Sequence, residues 1–338
     1  MMGVNEFDLI ARLVETVADA RRERTSKWGV QVAVASGDDA AVTVPHGATA
    51  ISVDSLVEGV HFRRQTAPLG SVGRKALSAA LSDLAAMGAA PGEAYVQLGV
   101  PDDLDEGGCL ELAEGLAQVA AEHDVDVLGG DVTRAPALWV AITVVGHADS
   151  ADELVRRAGA SPDDVLAVTG ELGGAAAGLL LLDRPELAEA LGEEVAEALR
   201  RRQLDPRPRL AAGRALAAAG ASAMIDVSDG LGGDAGHVAM ASSVRLVIEL
   251  ERLPLQAGVG EVAAAAGVDA DDLATARGED YELLVALPLE RVDRASAEVA
   301  ATGSALTPIG AVEQGEGVVL LAADGSEREP AGFDQLRP

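Results

Sequence analysis

The chain has one cysteine, Cys109, in 338 residues. That excludes a disulfide framework and any cysteine-based zinc site. Cys109 lies in GCLELAEGL, an apolar helical pattern, and reads as core rather than as a nucleophile. Aromatic residues are only 2% of the chain, against 49% hydrophobic residues overall. Its cores must therefore be built from Ala, Val, Leu and Ile, with much Gly. Lysine is nearly missing, with Lys27 and Lys75 alone among the basic residues. Lys+Arg 26 against Asp+Glu 55 gives a net charge of -29. Such a surface repels nucleic acid and anionic membranes, and both are excluded as partners. Arginine in place of lysine beside surplus carboxylates resembles proteins of salt-loving organisms, where a Debye length of about 3 Å near 1 M salt screens the self-repulsion. No apolar run approaches the roughly 20 residues of a membrane span. The opening MMGVNEFDLIARLVETVADA is amphipathic and charged early, unlike a signal peptide. A soluble cytoplasmic protein is expected.

Several motifs are missing too. There is no GxxxxGK[ST], and Lys75 stands in no such context, so no Walker-type site is expected. The kinase Gly-rich loop with its strand lysine and the G-x-S-x-G nucleophile elbow are absent. No His–x₃–His pair argues for zinc. GELGG at 170–174 follows a strand-like run but lacks the GxGxxG spacing of a dinucleotide site.

What is present is an alternation of strand and helix patterns in both halves, which predicts an α/β (α+β) fold. The spacing of apolar residues predicts helices over Glu6–Arg22, Ser71–Gly88, Asp105–Ala121, Glu186–Arg202, Pro208–Ala219 and Gly232–Ser242. Ser71 is the expected cap of the second of these, and Gly88 its end. Strands are expected over Ala40–Val44, Ala48–Val53, Tyr95–Val100, Asp124–Leu128, Leu138–Gly146, Val165–Thr169, Ala223–Val227, Arg245–Leu250 and Tyr281–Leu287. The charged connector HADSADELVRRAGASPDD divides the chain into domains at 1–148 and 149–338.

Carboxylates recur where the apolar pattern breaks. Asp38 and Asp39 precede AAVTV, Asp54 follows AISV, and Asp83 interrupts a helix of Ala, Leu and Met. Asp131 follows Gly129–Gly130, Asp226 and Asp229 flank Ser228, and Glu279 and Asp280 precede an apolar run. Taken singly, such residues are caps, turns or solvated faces. As a set at strand ends they suit a site where several Mg²⁺ ions and substrate phosphates share oxygen ligands. GGDVTR at 129–134 adds backbone N–H groups and Arg134, and His61 in VEGVHF fits a substrate contact.

GDDAA, SVDSLVEGVHF, LSDLAAMGA, LGGDVTR, IDVSDGL and GEDYEL occur in that order over most of the chain. In this series the chain resembles the thiamine-monophosphate kinases, of the aminoimidazole ribonucleotide synthetase-like superfamily. The resemblance implies ATP-dependent conversion of thiamine monophosphate to thiamine diphosphate by direct in-line transfer. It implies a homodimer whose N-terminal domains pair through a β-barrel, with the C-terminal domain completing the site. Asp39, Ser52, Asp54, Asp83, Asp131 and Asp226 would bind Mg²⁺, and Asp229 a further ion. Gly130, Asp131, Arg157 and Ser228 would contact the nucleotide, and His61, Glu279 and Phe333 thiamine phosphate. No side chain is implied as a general acid or base. Two positions depart from the family pattern. Val53 stands where Thr is frequent, which puts one metal contact in doubt. Phe333 stands where Trp or Tyr is frequent, which keeps stacking but loses a polar contact. The alternatives are another ATP-dependent enzyme of the superfamily, or an acidic metal- or nucleotide-binding protein without activity. Residues 1–30 hold no Cys, against selenophosphate synthetase, and the carboxylates lack the EF-hand spacing of a Ca²⁺ binder.

Overall fold

The computed structural model describes residues 6–19, 31–35 and 40–332. The chain divides into two compact units, Met1–Leu84 with Ala89–Ala151 and Ala85–Gly88 with Asp152–Pro338.

The first unit begins with α1 (Glu6–Asp19) and an antiparallel pair, β1 (Gln31–Val34) and β2 (Val42–Val44). β3 (Ala48–Val57), α2 (Leu69–Ala86), β4 (Ala90–Val100), α3 (Glu106–Glu122), β5 (Asp126–Arg134) and β6 (Trp139–Ala148) follow. The four long strands form a sheet in the order β3-β6-β4-β5, antiparallel except between β4 and β5. One face carries the buried Val140, Ile142 and Val144 of β6. α2 lies on that face: a Cβ on Gly146 would stand 3.0 Å from Leu84 Cδ2. The other face of β3 is open, with Ile51 and Val53 each 66% exposed. α2 ends at Ala86, and Gly88 beyond it has a φ of 68° that lets Ala89 N return to Leu84 O at 3.0 Å. That left-handed turn is the reason for glycine there.

The second unit runs through β7 (Val165–Thr169), α4 (Gly174–Asp183), α5 (Glu193–Leu204), α6 (Leu210–Ala219), β8 (Ala223–Asp226), α7 (Leu231–Ser242) and β9 (Arg245–Glu249). It continues through α8 (Val259–Ala266), α9 (Ala270–Thr275), β10 (Leu283–Leu287), α10 (Val292–Ala300), β11 (Leu306–Glu313), β12 (Gly317–Leu321) and β13 (Glu327–Arg328). Its seven strands are ordered β13-β12-β9-β11-β7-β10-β8, and only β12 with β9 is parallel. β7 and β10 read VLAVT and LLVAL, near-continuous apolar runs that suit the middle of a covered sheet. Leu166, Val168, Ile225, Leu246, Ile248 and Leu284 form its main core. Leu181, Leu199, Val259, Val262 and Leu273 form a second cluster among α4, α5, α8 and α9.

The α/β (α+β) expectation matches this architecture, with differences in extent. β3 continues past Val53 to Val57, so Asp54 sits inside a strand. Alternation explains it: Ser52, Asp54 and Leu56 share one side of the pleat, and buried Leu56 anchors the extension. β5 likewise continues through GGDVTR, so Asp131 lies within it. Ser71 is not a cap, because α2 starts at Leu69, directly after Pro68. The helix expected over Glu186–Arg202 is instead a 3₁₀ turn, Pro185–Ala190, then an extended Gly192, then α5. Among the described residues no helix is long and apolar enough to cross a membrane.

Candidate active site

In the first unit, β3 brings Ser52 and Asp54 to the helix-covered face. Ser52 Oγ donates to Asp83 Oδ2 on α2. The aspartate that interrupts an Ala-rich helix therefore has a partner on the strand. Asp54 Oδ1 accepts from Ser55 N at 2.7 Å. His61 closes a turn back on β3: its N–H donates to Val57 O at 2.9 Å, and its Nδ1 accepts from Val57 N at 3.0 Å. With Nδ1 accepting, the neutral ring carries its proton on Nε2 and presents a donor there.

Gly130 and Asp131 lie elsewhere on the sheet. Register aligns Asp54, Ile142, Val96 and Gly130 in one row, and Ser55, Ala141, Gln97 and Asp131 in the next. Asp131 thus takes the pleat face of Ser55, opposite that of Ser52 and Asp54. It is also three strand spacings from β3, about 14 Å. One sheet does not bring Asp131 and Asp54 together. Arg134 pairs with Asp102 at 2.5 Å, both exposed, rather than with the strand carboxylates. Asp38, Asp39 and Phe333 lie outside the described residues.

In the second unit, β8 ends on the buried Asp226 and the chain turns through Ser228 and Asp229 into α7. Gly230, not Asp229, holds the cap position. Asp234 reaches back from the first turns of α7, and its Oδ2 accepts from both Ser228 N and Asp229 N at 3.0 Å. Burial, reinforced by Asp226 and Asp229, pushes the Asp234 carboxyl up to about 8. Burial also raises Asp229, opposed by the positive charges of His237 and Arg157. Arg157 therefore lies within electrostatic reach of Asp229.

The GEDYE segment runs alongside this loop. Glu279 N donates to Ser228 O at 2.9 Å, and Tyr281 N to Val227 O at 2.9 Å. Ser228 and Glu279 are thereby neighbours. A Cβ on Gly278 would stand 1.8 Å from Ser228 O, so the close approach requires glycine. Glu279 and Tyr281 have φ of 71° and 49°, the left-handed region that side chains rarely adopt. Gln203 Nε2 donates to Glu279 Oε2 at 2.5 Å. Gly332, the last described residue, packs on α7: its Cβ would lie 2.8 Å from Gly233 Cα.

Asp280 belongs to the fold rather than to a ligand. Its carboxylate accepts from Gly173 N at 2.7 Å and Ala175 N at 3.1 Å, capping α4. The Gly-rich 170–174 stretch thus turns its helix start toward the protein's own carboxylate. Burial drives Asp280 up to about 6 against the pull of Arg202. Glu282, fully buried, accepts from Thr169 Oγ1 at 2.7 Å, from Arg209 Nε at 2.7 Å and Nη2 at 2.5 Å, and from Arg202. Asp234, Gln203, Arg202 and Arg209 were not legible as part of this neighbourhood. The closeness in sequence of Asp234 to IDVSDG was the one available signal.

Among the described residues no three His, Cys, Asp or Glu form a ready-made metal site. The candidate donors are all hard oxygens: Ser52, Asp54 and Asp83 in one unit, Asp226 and Asp229 in the other. Such sets fit Mg²⁺, which takes few carboxylates and completes its shell with water and phosphate.

Residues 37–148 match the family described as AIR synthase related protein, N-terminal domain, and residues 161–322 the corresponding C-terminal domain. The thiamine-monophosphate kinase of Bacillus subtilis (strain 168) is 34% identical over 340 residues, 99% of this chain and 100% of that protein. That of Escherichia coli (strain K12) is 37% identical over 305 residues, 88% of this chain and 87% of the other. Among solved structures, thiamine-monophosphate kinase from Stenotrophomonas maltophilia K279a superposes with a TM-score of 0.82 at 33% identity, covering 94% of this chain and 97% of that one. AaThiL complexed with AMPPCP and TMP gives 0.74 at 30% identity, covering 98% of each. The hydrogenase maturation protein HypE in complex with ATP shares the fold, with a TM-score of 0.77 at 19% identity over 99% of this chain and 97% of that one.

Proposed function

We propose a division of labour among these residues from one premise: the chain belongs to the AIR synthase related family and, within it, to the thiamine-monophosphate kinases. It phosphorylates thiamine monophosphate to thiamine diphosphate with ATP as donor. The observation that carries the residue assignment is the backbone bond between Glu279 and Ser228, which joins a substrate-contact candidate to a nucleotide-contact candidate. An oxygen of thiamine phosphate attacks the γ-phosphorus of ATP in line. The bond from the γ-phosphorus to the β–γ bridging oxygen breaks as the new one forms, and ADP leaves. The attacking oxygen is already ionised, so no general base is needed, and direct transfer leaves no covalent enzyme intermediate. Ser52, Asp54, Asp83, Asp39 and Asp131, with Asp226 and Asp229, would hold Mg²⁺, which when bound neutralises developing charge on the phosphates. Arg157, Ser228 and Gly130 orient the nucleotide. His61 offers its Nε2 proton to the phosphate of thiamine phosphate, Glu279 accepts from the donor groups of the thiamine moiety, and Phe333 stacks on a ring. Asp234 holds the Ser228–Asp229 backbone in its turn.

A homodimer belongs to the same proposal. β3 and β5 are the two edges of their sheet, and the open face of β3 exposes Ile51 and Val53. A second copy covering that face would hide an apolar patch that a monomer leaves wet.

Purified protein with thiamine monophosphate, ATP and Mg²⁺ yields thiamine diphosphate, measured by chromatography. Consumption of ATP only with a ribonucleotide substrate, and no thiamine diphosphate, would overturn the substrate reading and leave the fold assignment intact.

A further inference from the structure

We infer that Gln203 is a positioning residue for thiamine phosphate, acting through Glu279; this rests on the reading that Glu279 meets that substrate. Gln203 is 4% exposed near the end of α5, and its Nε2 donates to Glu279 Oε2 at 2.5 Å. Its other amide atom, Oε1, is buried without a hydrogen-bond partner. A buried unpaired carbonyl is costly, and a residue chosen only for packing would not carry one. The same amide does something a hydrocarbon cannot: it holds one carboxylate oxygen of Glu279 by a hydrogen bond. The fixing matters because the Glu279 backbone is in the left-handed region, where a side chain without an anchor has little reason to hold one rotamer. The neighbouring Arg202 anchors the same segment from below, through Glu282 and at 4.0 Å from Asp280. Gln203 and Arg202, consecutive residues of α5, therefore hold Glu279 and the two acids that follow it, Asp280 and Glu282, the first by a neutral donor and the second by charge.

The test compares Gln203→Leu, Gln203→Asn and the wild type in steady-state kinetics. The leucine removes the donor at similar volume, and the asparagine shortens its reach. A lost hydrogen bond to a charged group corresponds to roughly a tenfold or greater rise in KM for thiamine phosphate. KM for ATP should stay within about twofold, and circular dichroism of Gln203→Leu should stay native. The deciding measurement adds Gln203→Leu to Glu279→Ala. With Glu279 absent, the leucine should cost nothing further, because interacting sites are non-additive. Full additivity, a loss confined to kcat or to ATP, or an unchanged KM would each overturn the inference. Wild-type protein that makes no thiamine diphosphate would instead overturn the reading it rests on. Should the leucine variant fail to fold, the asparagine variant carries the same KM and double-mutant comparisons.

Discussion

Two buried aspartates show how one substitution can act in opposite directions. Asp234 uses a single oxygen, Oδ2, for both of its backbone bonds. Asparagine can keep those bonds without the cost of holding a proton on a carboxyl buried beside Asp226 and Asp229. Asp280 uses both oxygens, one for Gly173 N and one for Ala175 N. Asparagine there turns an NH₂ toward an N–H and loses one bond. Asp280→Asn should therefore destabilise by roughly 1–3 kcal/mol, while Asp234→Asn should stabilise the metal-free protein at neutral pH. The pH dependence has a definite sign. The folded Asp234 carboxyl is raised to about 8 from 3.8, so between those values the folded state keeps a proton the unfolded chain has released. Stability from this group is therefore lost as pH rises from about 4 to about 8. Melting curves in chelator across that range should converge for wild type and Asp234→Asn near pH 4 and separate toward pH 8. A gap that widens toward acid would sink the assignment. Asp83→Asn keeps an acceptor for Ser52 Oγ, so its melting temperature should hold. Turnover should nonetheless fall about a hundredfold or more if Asp83 holds a cation. Near-normal turnover would make Asp83 structural.

At the scale of elements, the open face of β3 makes a sharp prediction. Ile51→Glu should give a monomer by sedimentation while circular dichroism stays native, since the side chain is already 66% exposed in one copy. A dimer of unchanged affinity would place the interface elsewhere. The sequence made the elements themselves readable, because apolar spacing is a local property. α2, α3, β7 and α7 lie within a few residues of the ranges expected. Misjudged ends have physical causes. β3 and β5 run on through polar residues because they stay paired with β6 and β4, and pairing is set by a distant partner. Ser52 and Asp83 are 31 residues apart, and no local pattern foretells their bond. Asp280 looked like a ligand for the same reason: its two donors lie more than 100 residues upstream.

For the whole molecule, a charge of -29 makes salt a variable of stability. Raising KCl from 0.1 to about 2 M should raise the melting temperature if self-repulsion dominates, because the Debye length falls from about 10 Å to under 3 Å. A flat response would remove the halophilic reading. A site shared between the two copies of the proposed dimer would show in complementation. Asp54→Asn and Asp131→Asn should each be inactive alone. An equal mixture, unfolded and refolded together, should regain about a quarter of wild-type activity, because half the dimers are mixed and each has one intact site. No recovery would confine each site to one copy. β3 has a last implication for how this protein can change. On the reading proposed above, its pleat would give the exposed positions Ile51 and Val53 to assembly and Ser52 and Asp54 to chemistry, within ten residues of alternating exposure. Substitutions can tune either property alone, but a one-residue insertion or deletion ahead of Ile51 would exchange them. Lineages of this chain should therefore tolerate length changes in the loops flanking β3 and almost none within it.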